Sequence, residues 1–129
     1  NVSVMLPRDL VAAPGVRSDS GRVVAAGQVP EDLAALDIGP ETTQSWVDGL
    51  SRARTILWNG PVGAYETGPF GDGTQAIARA IASNLMAFSV VSGDDTTAAI
   101  RRAGVADRIG HLSTAAKASL EFLQSGKLP

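Results

Sequence analysis

The sequence predicts an α/β fold of the three-layer αβα, Rossmann-like type, built on a parallel sheet. Three observations carry that expectation. Apolar runs of four to five residues take turns with amphipathic helical stretches along the chain. Those runs are continuously apolar rather than alternating, as expected of strands covered on both faces. Three strand-to-helix junctions (Asn59–Gly63, Ser92–Thr96 and Ser113–Ala116) are rich in glycine or small polar residues. In parallel sheets ligands bind beyond the carboxyl ends of the strands, so these junctions are expected to converge on one crevice.

The elements follow in order. Val2 to Leu6 reads as a buried strand, broken by Pro7-Arg8-Asp9 and resumed at Leu10 to Ala13. Residues 14 to 27 mix Gly, Ser, Asp and Arg and read as loop, with a small edge strand at Arg22-Val23-Val24. Leu36-Asp37-Ile38-Gly39-Pro40 ends in a turn. Pro40 suits the first position of a helix, where its missing N–H would be unpaired anyway. That helix runs from about Glu41 to Arg52, with Trp46, Val47 and Leu50 on one face. Thr55 to Trp58 is the next strand.

The loop from Asn59 to Gly73 holds five of the chain's 14 glycines. Such density indicates close backbone approach or an irregular loop, not a helix. Asp72 is placed to cap a helix over Gly73 to Ser83, with Gln75 completing a capping box and Ile77, Ala78 and Ile81 as its buried stripe. Ala87 to Val91 is a strand and Asp95 to Arg102 a helix, stopped at Gly104. His111-Leu112 is a short strand. Thr114 opens a last helix to about Gln124. Trp46 and Trp58 are expected in the core, and His111 as a structural residue.

Bulk properties exclude several classes. At 129 residues the chain is one domain or part of one, spanning residues 1–129. A formal net charge of -2 gives no bulk attraction to nucleic acid or to an anionic membrane. No stretch of 18 apolar residues is present. No cysteine means no disulfide and no thiolate metal site, which fits a reducing compartment. The chain starts directly on an apolar run and ends at Leu128-Pro129, as expected of a piece of a longer polypeptide.

Two junctions carry chemistry. Val91-Ser92-Gly93-Asp94-Asp95-Thr96 leaves a strand and opens a helix, whose unpaired N–H groups and partial positive charge suit a phosphate. Asp95 can meet a magnesium ion on that phosphate, or serve only as an N-cap. Asp94 beside it repels an anion unless a metal intervenes. At Ser113-Thr114-Ala115-Ala116-Lys117, Thr114 can cap the helix or meet a phosphate, and Lys117 can pair with a phosphate or be solvated. Glu66 stands alone in the glycine-rich loop, as a surface carboxylate or as a partner for a pair of hydroxyls.

Four stretches together resemble the phosphoglycerate kinase family: Leu36-Asp37-Ile38-Gly39-Pro40, Leu57-Trp58-Asn59-Gly60-Pro61-Val62-Gly63, Gly73-Thr74 with its Ala-rich helix, and Ser119-Leu120-Glu121-Phe122-Leu123. Their order and spacing match across nearly all of the chain. The resemblance implies the later part of the C-terminal, nucleotide-binding domain of a cytoplasmic glycolytic enzyme. That enzyme moves a phosphoryl group between 1,3-bisphosphoglycerate and ADP, with Mg-ATP or Mg-ADP as its nucleotide. It further implies that Glu66 binds the ribose hydroxyls, and that Asn59 and the Gly60-Pro61 backbone face the polyphosphate. Asp95 would be the magnesium-linked carboxylate and Thr96 the cap facing the phosphates. Gly93 and Thr114 would lie at the transferring phosphoryl group.

This chain departs from the family's pattern at two glycine runs. Ser92 and Asp94 stand in the first, and Ala115, Ala116 and Lys117 in the second. A Cβ at those sites obstructs the approach of backbone donors to phosphate, where preorganised donors matter most. The resemblance also implies that a first domain and the early part of the nucleotide domain lie outside this chain. A sheet edge left bare would be open to that remainder, to another partner or to a second copy. The alternatives are a diverged, non-catalytic nucleotide-binding or interaction module, and a stand-alone α/β domain without a ligand.

Overall fold

The computed structural model describes residues 1–127. The chain forms two compact units, Asn1–Gly49 with Val62–Ile77, and Leu50–Pro61 with the chain from Ala78 onward.

The first unit holds an antiparallel sheet of order β2-β1-β3, made of β1 (Asp9–Ala13), β2 (Arg22–Ala25) and β3 (Ala34–Ile38). This departs from the single parallel sheet expected. Strands of four or five residues are too short for their apolar pattern to reveal their direction, and β3 is here a full strand rather than only the approach to a turn. A register shift between Val11 and Ala12 interrupts the pairing of β1 with β3. Ala13, Leu36 and the fully buried Phe70 form the unit's apolar cluster, with Val11 and Ala64 packed against it. The Val2–Leu6 run is not a strand: Val2, Val4 and Leu6 are exposed.

Two helices start in this unit, α1 (Pro40–Arg52) and α2 (Asp72–Ser83). Each starts against a buried carboxylate. At α1, Asp9 accepts hydrogen bonds from Glu41 N (3.0 Å), Thr42 N (2.8 Å) and the Thr42 hydroxyl (2.6 Å). At α2, Asp37 accepts from Gly73 N (2.9 Å) and from Ile38 N (2.8 Å). Asp72 is thus the first residue of its helix rather than the cap expected, and the cap is supplied from a strand. Both aspartates read in sequence as strand breakers or turn residues, because their partners are more than thirty positions away.

The second unit carries the parallel sheet the sequence predicts, of order β4-β5-β6, made of β4 (Thr55–Asn59), β5 (Phe88–Ser92) and β6 (His111–Ser113). α3 (Asp94–Arg102) follows β5 and packs on β5 and β6, and α4 (Ala116–Ser125) follows β6. Ile56, Trp58, Val91, Ala99 and Ile100 are its buried apolar residues, together with Ala78, Ile81 and Ala82 from the later part of α2. Trp58 is in the core as expected, whereas Trp46 is only half-buried. Asn84, just after α2, donates to the carbonyls of Leu50 and Ala53 at 2.8 and 2.9 Å. One face of the sheet is not fully covered, since Leu57 and Phe88 are exposed. Among the described residues no helix is long and apolar enough to cross a membrane.

Candidate nucleotide-binding crevice

The carboxyl ends of β4, β5 and β6 open on a crevice of about 690 Å³ within the second unit. All three predicted junctions reach it. Asn59, Gly60 and Pro61 come from the first, Gly93, Asp94, Asp95 and Thr96 from the second, and Thr114, Ala115, Ala116 and Lys117 from the third. Parallel pairing sets this convergence, because Asn59 lies opposite Ser92 and Ser92 opposite Ser113. The three chains therefore leave the sheet at one level.

Local bonds fix the walls. The Trp58 indole N–H donates to the Gly60 carbonyl at 2.8 Å, folding the turn back on its strand. Gly60 N donates to the Thr96 hydroxyl at 2.8 Å, which ties that turn to the first turn of α3. Gly93 N donates to the Ser113 carbonyl at 2.8 Å, closing β5 against β6. Gly93 has a φ of 102°, in the region that disfavours side chains. A Cβ placed there would meet Asn59 Oδ1, Thr96 Oγ1 and Ala116 Cβ, each at 3.4 Å. Gly93 is thus the point at which all three junctions crowd together.

Neither helix at the crevice carries a side-chain cap. α3 is preceded by Gly93 and α4 by Ala115, and neither residue bonds the first turn with a side chain. Three caps expected from the sequence are absent. Asp95 sits at the second position of α3, not before it. Thr96 is buried and its hydroxyl is engaged by Gly60 N. Thr114 precedes Ala115, one residue too early to cap α4. The first N–H groups of both helices are therefore left to a ligand or to solvent, with a partial positive charge at each end.

The charged side chains on the walls are Asp94, Asp95, Glu121 and Lys117, all exposed. Lys117 occupies the second position of α4, where a cation opposes the helix dipole by about 0.3–1 kcal/mol. Ser92 is fully buried and its hydroxyl has no hydrogen-bond partner. The sequence carried no signal for the place of Glu121, since a carboxylate in a helical stretch looks like part of a solvated face.

Glu66 belongs to the first unit, where it is exposed on the loop before the 3-10 turn Gly68–Phe70. His111 begins β6 and is exposed, outside the crevice walls. Among the described residues no group of three or more His, Cys, Asp or Glu is arranged to hold a metal ion. A divalent cation would here need ligand oxygens besides Asp95, which the phosphates of a nucleotide supply. The crevice suits that combination: two uncapped helix ends for phosphate oxygens and an exposed carboxylate beside them.

Comparison with known proteins places the chain in a family. A family model described as phosphoglycerate kinase matches residues 1–127. The phosphoglycerate kinases of Moorella thermoacetica and of a Thermus thermophilus strain are 47% and 48% identical over 129 residues. Each alignment takes in 99% of this chain and 33% of the relative, so the chain spans about a third of the length of these curated relatives. Among solved structures, phosphoglycerate kinase from Coxiella burnetii superposes with a TM-score of 0.87 at 36% identity, over 93% of this chain and 31% of that one. The Pyrococcus horikoshii enzyme gives 0.79 at 30% identity, over 95% and 30%.

Proposed function

The chain belongs to the phosphoglycerate kinase family, and on that premise we propose that it is the nucleotide-binding part of a kinase that moves a phosphoryl group between an acyl phosphate and ADP. One observation carries the reading. Two helices of the second unit open uncapped on the same crevice, at the carboxyl ends of three parallel strands. Such ends are ready-made sites for phosphate. Asn59 and the Gly60-Pro61 turn take the polyphosphate chain, and Asp95 is the carboxylate that would hold a magnesium ion, which would neutralise phosphate charge. Gly93 and Thr114 stand beside the transferring group. Thr96 acts by holding Gly60 in place. The assignment of Glu66 to the ribose hydroxyls rests on the family resemblance alone.

In this reaction the nucleotide side contributes position and charge stabilisation rather than covalent chemistry. A bound magnesium ion supplies the neutralising charge. The binding site for the acyl phosphate belongs to the remainder of the polypeptide.

A titration of the full chain with ADP, with and without magnesium, followed by calorimetry, tests the proposal. Binding that strengthens with magnesium is expected. A folded chain that takes up no ADP under either condition sinks it. The side chains at Ser92, Asp94, Ala115, Ala116 and Lys117 favour a second reading, in which the crevice binds nucleotide but has lost turnover. ATP synthesis from 1,3-bisphosphoglycerate and ADP by the full-length polypeptide would exclude that alternative.

A further inference from the structure

The crevice walls carry a charge pattern that the proposed nucleotide site does not by itself require. Three of the four charged side chains are carboxylates, and two of those, Asp94 and Asp95, stand side by side at the mouth of α3. A phosphate chain entering alone meets a net negative wall. Lys117 is the single ammonium among the lining residues. It stands in the first turn of α4, against that helix's own dipole, where an incoming anion offsets the unfavourable placement. Ala115 and Ala116 beside it bring no polar side-chain atom. Lys117 has a long, flexible stem and three donors, so it can follow a phosphate that the small residues around it cannot touch with side chains.

We propose that Lys117 and Asp94 together set what this crevice accepts: Lys117 is the side-chain contact to the distal phosphate of a nucleoside di- or triphosphate, and Asp94 makes entry conditional on a divalent cation. The inference rests on the nucleotide-binding reading above and deepens it. Asp94 doubles the carboxylate charge at the mouth of α3, and a bound divalent cation turns the repulsion of a free polyphosphate into attraction. Lys117 then closes on the outer oxygens of the metal-bound phosphates. Discrimination therefore falls on the phosphate end and on its metal, and leaves the nucleoside end untouched.

Calorimetric titrations of the full chain with adenosine, with ADP in a chelator and with ADP plus magnesium separate these roles. Lys117→Ala should weaken Mg-ADP binding about tenfold, the loss of one charge-assisted hydrogen bond, and leave adenosine binding unchanged. Lys117→Arg should restore most of it. Asp94→Gly should strengthen ADP binding in chelator about tenfold and shrink the gain that magnesium brings. Both side chains are exposed, so none of the three variants threatens the fold. If Lys117→Ala changes adenosine and Mg-ADP binding equally, or changes neither, the inference fails and the nucleotide site stands. An Asp94→Gly chain with an unaltered magnesium requirement overturns it too. If the unmodified chain binds neither adenosine nor ADP, the nucleotide-binding reading falls and takes this inference with it.

Discussion

The helices that begin in the first unit start on buried carboxylates, and those at the crevice of the second start on bare backbone. Asp9 caps α1 and Asp37 caps α2, each from a neighbouring strand. Gly93 and Ala115 precede α3 and α4 without a side-chain bond. The same four orphan N–H groups exist at every helix start. In one unit they are satisfied by the protein and contribute stability. In the other no side chain takes them, and on the proposed reading they receive a phosphate. The difference teaches where stability and function have been separated in this chain.

The largest effect should come from breaking a cap. Asp9 receives three hydrogen bonds and is buried. Asp9→Ala leaves the Glu41 and Thr42 N–H groups without an acceptor, while the Thr42 hydroxyl keeps the residue-9 carbonyl, and should cost about 3 kcal/mol, read by chemical denaturation. Magnesium-dependent ADP binding by the folded fraction should persist. A loss under 1 kcal/mol would mean that the cap is not what holds α1.

Crowding the second cap should cost somewhat less. A Cβ on Gly73 would lie 2.5 Å from both Asp37 Oδ1 and Ile38 Cγ1. Gly73→Ala should therefore push α2 off its carboxylate and lower stability by about 2 kcal/mol. The melting temperature of this variant against the unmodified chain is the check. An unchanged value would show that strand β3 yields without strain.

Acid titration separates the two aspartates. Burial works to raise the Asp9 pKa, but the bonds from the Thr42 hydroxyl, Thr42 N and Glu41 N outweigh it, and the net shift is downward. Its stabilising contribution is present above the ordinary carboxylate range and is lost as pH falls through the lowered value. Asp37 moves the other way. Burial pushes its pKa up and the Asp72 carboxylate adds to this, against the bonds from Gly73, Ile38 and Asp72 backbone groups. Asp37 therefore stabilises less in its ionised form than in its neutral form, and that difference fades as pH falls through its raised value. Stability should rise slightly on mild acidification and then drop steeply. In Asp9→Ala the steep drop should shrink. A monotonic decline in the unmodified chain would contradict the opposed shifts.

Much of this contrast was hidden in the sequence, for identifiable reasons. The strands β4 and β5 and the helix starting at Pro40 were legible because each combines an apolar run or stripe with a clear stop. The crevice was legible because glycine and small polar residues cluster where parallel strands end. Val2 to Leu6 carries the same apolar signal as a buried strand yet is exposed, since periodicity reports what a segment can bury and not whether it finds a partner. The caps were misread in both directions. Thr114 and Asp72 have the residue types of caps but lie one position away from that role. Asp9 and Asp37 are the working caps, and no local pattern shows a carboxylate thirty residues from the helix it serves.

The smallest effect is also the one that joins the two halves of the comparison. Ala115→Ser supplies α4 with the hydroxyl cap it lacks. Stability should rise by about 0.5–1 kcal/mol, as for other caps restored at a helix start. The added hydroxyl takes an N–H that a phosphate would otherwise receive, so Mg-ADP affinity should fall about fivefold. Thermal melting and calorimetry on the same sample read both changes. A gain in stability with affinity unchanged would mean that the start of α4 does not face the phosphates. A gain in one quantity matched by a loss in the other is what a helix end kept open for a ligand requires.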